Sequence, residues 1–287
     1  MDTEQLNAFI LVAETKNFTK TAEVLHLAQS TVTSRIKTLE DIVGKQLLYR
    51  SNKTVSLTPA GEIFLPYAFR MKELAEKSVE NLQQQGLYEE RLVLGGPSSV
   101  WRHLLYPYLK TFRESNPEVA VELLTHSTEN TIQKVLDGII HVGVVYAKPR
   151  HPMIHSQPIL DDEYVLAGAE KYNNLGNLET LYSKDFILND WGNPFMNWFY
   201  NTIGNHYIPA FKINQTSIVL KMLLDGSGFG FIPQSIIGPY VKDGSLIKIN
   251  FELPSQPPTH KIFLVYLKKQ EQSKAVQLGL DLLKHFL

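Results

Sequence analysis

Thr31, Ser34, Arg35 and Thr38 lie at i, i+3, i+4 and i+7 of the stretch AQSTVTSRIKTLE, residues 28–40. Short hydroxyl side chains let a helix backbone approach a surface closely. An arginine can grip guanine or phosphate through two parallel donors. The chemistry open to this set is recognition of a nucleic acid rather than the making of bonds. Gln29, Ser30 and Thr33 extend it along the same stretch, with Thr33 assigned to phosphate rather than to a base edge. Arg50 and Lys53 follow as two cations suited to sugar–phosphate contact. Between Lys16 and Thr58 there are seven bases and three acids, although the net charge of the 287-residue chain is only −1. That local surplus fits a phosphate-facing surface and equally a solvated basic face.

A second group stands further on. Ser98 and Ser99 follow an apolar run and open a helical pattern, where free N–H groups and the helix dipole favour an anion or a simple N-cap. Val100 and the bulky Trp101 come next, and Thr125, Ser127 and Thr128 follow the next apolar run. If those runs are parallel strands, these residues face one crevice at the strands' carboxyl ends. Asn193 and Thr216 are the candidates from the later part of the chain.

Bond-making chemistry finds little support. There is no cysteine, which removes disulfides, thiolate metal sites and thiol nucleophiles. No HExxH or GxSxG motif occurs, and the glycines at 226, 228 and 230 run into Phe231-Ile232-Pro233, which reads as a buried strand rather than a nucleotide loop. His151 and His155 are four apart, but Pro152 lies between them, so helical metal-ligand geometry is not expected. The expectation is no catalytic residues, no metal and no cofactor. The N-terminus lacks a secretory pattern and no apolar run is long enough to cross a bilayer, so the chain is expected to be cytoplasmic, without a membrane partner.

These residues need elements to hold them. Leu6, Phe9, Ile10 and Ala13 form one helical stripe. Thr19 is a plausible N-cap for a short second helix carrying Ala22, Val24 and Leu25. After a tight connection at 26–29, the third helix carries Val32, Ile36, Leu39 and Val43 and ends at Gly44. Helix, turn, helix with such a polar second helix is a DNA-reading arrangement. Two strand-like pieces around Ser51-Asn52-Lys53 then form a hairpin, or wing. Thr58-Pro59 starts a long helix whose apolar residues Phe64, Ala68, Met71, Ala75, Val79 and Leu82 repeat nearly as a coiled-coil seam, with Pro66 inside it and a hinge at 83–86. Beyond, strands are expected at 92–94, 119–124, 142–145, 164–167, 186–188, 212–213, 230–232 and 261–267. Helices are expected at 100–114, 130–137, 217–225, 235–241 and 273–286. This alternation predicts mostly parallel sheets covered by helices, in two α/β lobes.

The segment from Phe9 to Gly61 resembles the DNA-binding domain of LysR-type transcriptional regulators. The resemblance rests on Phe9, Ala13-Glu14, Asn17-Phe18-Thr19, Ala22, Leu25, Gln29, Val32, Ile36, Leu39-Glu40, Gly44, Leu47-Leu48, Arg50 and Leu57-Thr58-Pro59-Ala60-Gly61. Downstream, Gly226-Ser227-Gly228-Phe229-Gly230-Phe231-Ile232-Pro233 and Leu246 to Ile249 resemble that family's effector domain. The resemblance implies a winged helix-turn-helix (1–58), a linker and dimerisation helix (59–86) and an effector-binding domain (87–287) akin to periplasmic solute-binding proteins. Lobe I of that domain is expected at about 91–160 and 268–287, and lobe II at about 161–267. It further implies a small effector bound between the lobes and a homo-oligomer assembled as a dimer of dimers; the residues themselves point to an anionic or polar ligand. Double-stranded DNA is the expected partner, with RNA polymerase a further one.

Four positions depart from the family pattern. Ala28 and Ser30 stand where Ser and Pro are frequent, which predicts a later helix start with Ser30 as cap. Ser34 replaces a longer polar or basic residue, so base preference does not carry over. His141 replaces an Asp before the buried strand. The expected function is that of a sequence-specific transcriptional regulator gated by a small ligand. The alternatives are a solute-binding protein, an enzyme with an appended DNA-binding domain and an architectural DNA binder without effector.

Overall fold

The computed structural model describes residues 1–50, 54–83, 88–174, 178–204, 207–250 and 252–286. It divides into two compact units, Met1–Gly86 and Leu87–Leu287.

In the first unit, α1 (Thr3–Thr15) is closed at its start by a capping box between Asp2 and Gln5. It buries Leu6, Phe9 and Ile10 as its stripe predicts, with Ala8 and Val12 beside them. The second helix, α2, spans Phe18–Leu25. Its cap is Asn17 rather than Thr19: the Asn17 Oδ1 accepts the Lys20 N–H at 3.0 Å. Phe18 can then serve as the first helical residue and pack on the core. The third helix, α3 (Gln29–Val43), starts directly after Ala28 and not at a Ser30 cap; no side chain caps it. Its Val32, Ile36 and Leu39 are fully buried, and Gly44 ends it at φ 69°. The wing is an antiparallel pair, β1 (Leu48–Arg50) and β2 (Val55–Leu57).

Thr58 caps α4 (Pro59–Gln83), its Oγ1 accepting the Gly61 N–H at 3.0 Å while donating to the Gln46 carbonyl at 2.7 Å. A Cβ at Gly61 would lie 2.1 Å from the Leu47 carbonyl oxygen, so the helix can pass this close only without a side chain there. The expected seam along α4 has two fates. Phe64, Ala68 and Met71 pack into the core of their own unit, whereas Val79 and Leu82 are exposed. The expected hinge continues into 84–86, outside the described residues.

The second unit opens with β3 (Glu90–Gly96), longer than expected at both ends, with Glu90 and Arg91 preceding the expected stretch and both glycines continuing it. A π-helical turn (Val100–Leu105) and α5 (Tyr106–Ser115) follow, then β4 (Val119–Thr125), α6 (Thr128–Leu136) and β5 (Val142–Val145). Next come β6 (Ile154–Asp162), β7 (Tyr164–Gly168), β8 (Ile187–Asn189), α7 (Phe195–Ile203) and β9 (Phe211–Ile213). The last elements are α8 (Thr216–Leu224), β10 (Phe229–Pro233), α9 (Gln234–Lys242), β11 (Ile247–Lys248), β12 (His260–Leu267) and α10 (Lys274–Leu283).

The first lobe is a five-stranded sheet in the order β4-β3-β5-β12-β6. Its β3 runs parallel to β4 and β5, while β12 is antiparallel to β5 and β6. Leu92, Leu94, Val142 and Val144 face one core, and Val93 and Val145 face another on the opposite side of the sheet. The second lobe holds β10-β7-β11 and the parallel pair β8-β9, joined by a bridge between Phe186 and Phe229. One face is aromatic, with Tyr164, Phe186, Phe195, Phe199, Phe229 and Phe231. The other is aliphatic under α8 and α9.

Two expectations need correction here. The strand β12, placed in lobe II (about 161–267) from its position in the chain, lies between β5 and β6 in the first lobe's sheet. The stretch from His151 to His155 passes through a turn at Pro152-Met153 and enters β6 at Ile154, a strand absent from the expected set because its antiparallel partner is remote in sequence. His155 stacks on Tyr266 at 4.7 Å, and the His151 Nδ1 accepts the Met153 N–H at 3.3 Å.

Candidate functional site

The buried beat of α3 fixes which side chains face outward. Gln29, Ser30, Ser34 and Thr38 are exposed, and Thr31 and Thr33 are half-buried. Lys37, which sequence reasoning passed over, is exposed on the same side as Ser30 and Ser34. It could have been found by rotating from Val32, Ile36 and Leu39 rather than by following the hydroxyls. Thr33 Oγ1 donates to the Gln29 carbonyl and Thr38 Oγ1 to the Ser34 carbonyl, each at 3.0 Å. Their protons are engaged, which leaves each hydroxyl as an acceptor only; on the exposed Thr38 that suits adenine or cytosine amino groups.

Arg35 does not share that outward face. Its guanidinium pairs with Glu4 of α1. Together with Thr3, Asn7 and the distal half of α4 it lines a groove of about 750 Å³. Arg50 is also held: Glu40 Oε2 receives it at 2.7 Å, and it lies 5.1 Å over the Phe18 ring. The other Glu40 oxygen accepts the N–H groups of Leu47 and Leu48 at 2.8 and 3.2 Å. Glu40 therefore ties α3 to the wing. Lys53 lies outside the described residues.

In the second unit, β3, β4 and β5 end side by side, with Gly96 opposite Thr125 and Gly95 opposite Gly143. Gly96 leaves room for the Trp101 ring, whose atoms would lie 3.2 Å from a Cβ placed there. Ser99 Oγ is hydrogen-bonded to the Tyr146 hydroxyl, and Thr128 Oγ1 accepts the Tyr146 N–H at 3.1 Å. Ser127 caps α6, accepting from the Asn130 N–H at 3.3 Å, while Ser98 and Thr125 are exposed. Val100 does not belong to the crevice by its side chain, which is buried in the first lobe's core; its N–H bonds to the Pro97 carbonyl at 3.0 Å.

Asn193 is exposed in the loop before α7, and Thr216 is half-buried at the start of α8. Other residues link the second lobe to Tyr146. The Tyr146 ring lies 4.3 Å from the His260 ring, and the Tyr164 hydroxyl is 2.6 Å from His260 Nδ1. Trp191 lies 5.5 Å from Tyr164 and 5.7 Å from His260, and its Nε1–H donates to the Phe231 carbonyl at 3.0 Å. Burial pushes the Tyr146 hydroxyl up to about 12, opposed by its bond to Ser99, and it raises Tyr164 as well. The same burial pulls His260 down to about 4. All three rings are neutral near pH 7. Tyr146 was legible as the residue closing the buried Val142–Val145 strand; His260 was not, because its neighbours come from three distant segments.

His141 settles its turn differently from an Asp. Its Nδ1 accepts the Val93 N–H at 3.1 Å while its own N–H donates to the Val93 carbonyl at 3.0 Å. Burial first, then Arg91, lowers its pKa, which favours the neutral ring that can accept.

Two family models match the chain. The "Bacterial regulatory helix-turn-helix protein, lysR family" matches residues 3–62, and the "LysR substrate binding domain" matches residues 85–287. The uncharacterised HTH-type transcriptional regulator YwqM of Bacillus subtilis (strain 168) is 27% identical over 260 residues, 88% of this chain and 89% of that protein. The crystal structure of CbnR, a LysR family transcriptional regulator, superposes with a TM-score of 0.72 at 23% identity, covering 99% of both chains. Full-length CbnR complexed with its target DNA gives 0.68 at 24% identity, covering 100% of this chain and 99% of that one.

Proposed function

The chain belongs to the LysR family of bacterial regulatory proteins, and from that membership we propose that it reads its operator with the outward face of α3 and is gated by a small ligand at the Ser99–Thr128 crevice. The observation that carries the DNA reading is the split of α3. Val32, Ile36 and Leu39 are fully buried, and the side away from them offers Ser30, Ser34, Lys37 and Thr38. Ser34 and Thr38 reach base edges, Lys37, Gln29 and Ser30 hold the approach, and Arg50 on the wing supports the backbone contact. Thr31 and Thr33 play the lesser part of half-buried neighbours. Arg35, committed to Glu4, orients α1 against α3 and is released to DNA only if that pair opens.

The ligand reading rests on Ser99, Thr128 and Tyr146 meeting at the carboxyl ends of three strands, two pairs of which are parallel. The side-chain hydroxyls offered there favour a polar ligand, with Ser98 and Thr125 at the rim and Trp101 as a wall. A second copy is the partner of α4, through its exposed Val79 and Leu82. A dimer of dimers, contact with RNA polymerase and a cytoplasmic location complete the proposal. No described helix is long and apolar enough to cross a membrane. The N-terminal domain speaks against a protein that merely delivers a solute.

The test is a footprint on DNA upstream of the protein's own gene at two salt concentrations. Protection of an interrupted dyad that weakens in Lys37→Ala and Ser34→Ala, and steeply with salt, supports the reading. Folded oligomeric protein that selects no sequence from random DNA at either salt overturns it.

A further inference from the structure

The crevice and the junction of the lobes share one side chain. Tyr146 shares a hydrogen bond between its hydroxyl and Ser99 Oγ and donates its backbone N–H to Thr128 Oγ1, both in the first lobe. Its ring packs at 4.3 Å on His260, the first residue of β12. His260 in turn bonds Tyr164, the first residue of β7 and a member of the second lobe's aromatic core. The chain crosses between lobes at this point twice: Asp162 and His260 are paired across β6 and β12, and Tyr164 is two residues beyond Asp162. A second tether lies alongside, where the Asp162 carboxylate accepts the Ser235 N–H of α9 at 3.1 and 3.2 Å.

We propose that Tyr146 is a positioning residue that couples ligand contact at Ser99 and Thr128 to the junction between the lobes, through the His260 ring and the Tyr164 hydroxyl. The proposal rests on the reading of that crevice as the effector site. A ligand group that takes over Ser99 Oγ leaves the buried Tyr146 hydroxyl without its partner. An unpartnered buried hydroxyl is unfavourable enough to move the side chain. Tyr146 cannot turn without disturbing its packing on His260, and His260 cannot shift without loosening the bond to Tyr164. The ligand's differential affinity for the two arrangements then sets the lobe equilibrium. The relay passes contacts rather than charge.

The experiment needs no ligand. The chain has no cysteine, so Lys110→Cys in the first lobe and Asn201→Cys in the second carry spin labels at unique exposed positions. Doubly labelled full-length protein, diluted into unlabelled protein to suppress signals between subunits, reports the interlobe distance distribution. Tyr164→Phe is expected to shift or broaden it. Tyr146→Phe, which keeps the ring but loses the hydroxyl, is expected to shift it in the same direction. In the double variant the two shifts should not add, because both act through one relay. If Tyr146→Phe fails to fold, Ser99→Ala, which removes only the hydroxyl's partner, must give the same non-additive shift with Tyr164→Phe. A distribution unchanged by Tyr146→Phe or Ser99→Ala, or shifts that simply add, overturns the coupling. Failure of the effector reading would appear elsewhere: Ser99→Ala and Thr128→Ala would leave every ligand response of the DNA footprint intact while the distance coupling persisted.

Discussion

The Tyr164 hydroxyl and His260 Nδ1 stand 2.6 Å apart where the two lobes join, and the imidazole is 7% exposed. Burial lowers this histidine from 6.5 to about 4, so the unfolded chain takes up the proton first on acidification. The stability that the neutral ring contributes is complete above about 6.5 and is lost as pH falls through about 4. The full effect is about 3 kcal/mol. His103 and His141, both lowered chiefly by burial, act in the same direction. Asp162, raised by burial, acts in the opposite one. The urea midpoint of the effector-binding unit should fall between about pH 7 and pH 5, and less steeply in His260→Gln. Identical pH slopes for the two proteins would sink this account.

Lys37→Ala should weaken operator binding and reduce the salt slope by about 1, because one phosphate contact is lost. Arg35→Ala should change affinity less, since its guanidinium is engaged with Glu4. The exposed Glu4 makes that pair worth less than about 1 kcal/mol of stability. Equilibrium binding at several salt concentrations separates the two. A larger loss from Arg35→Ala than from Lys37→Ala would move the DNA contact to the other flank of α3.

Glu40→Ala removes the acceptor of two backbone N–H groups and the partner of Arg50. The side chain is 12% exposed, so solvent replaces these bonds poorly. Loss of about 2 kcal/mol from the N-terminal unit is expected. DNA affinity should fall equally for operator and unrelated sequences, because the wing is misplaced while the face of α3 survives. Circular dichroism during urea unfolding, with competition binding, checks both.

Gly61→Ala forces a methyl against the Leu47 carbonyl at 2.1 Å, and backbone must move to admit it. The expected destabilisation is about 2 kcal/mol or more, with the start of α4 displaced. Wild-type thermal stability in this variant would show that α4 can lift from Leu47 freely.

Val79 and Leu82 are 50% and 83% exposed on α4. Val79→Asp with Leu82→Asp should lower the molar mass seen by light scattering, leave the effector-binding unit folded and weaken operator binding by the loss of the second reading head. An unchanged mass would place the subunit contact elsewhere.

Local rules placed the main elements of the reading domain but not the starts of α2 and α3. The stripe of α1, the buried beat of α3, the Gly44 stop, the wing and the Thr58 cap all depend on neighbours within a few residues. Asn17 displaced Thr19 as a cap because Phe18 can serve as the first helical residue and pack on the core, a choice that depends on tertiary structure. Arg35 was legible as a helix-surface cation but its partner was not, since Glu4 lies on another helix. In the effector unit, Ser99 and Thr128, singled out by their positions after strands, both bond Tyr146, which the sequence did not single out. The β6 strand and the place of β12 escaped because each is defined by the other: eight register pairs join segments about a hundred residues apart.

That pairing has a consequence for the order in which the chain can mature. The whole second lobe leaves the ribosome before β12 does, so it can close around its aromatic face first. Until β12 arrives, β5 has one open edge and β6 has no strand beside it. The first lobe, which begins earlier, is therefore finished last, and its waiting edge is the surface a nascent chain would most need to keep from a neighbour.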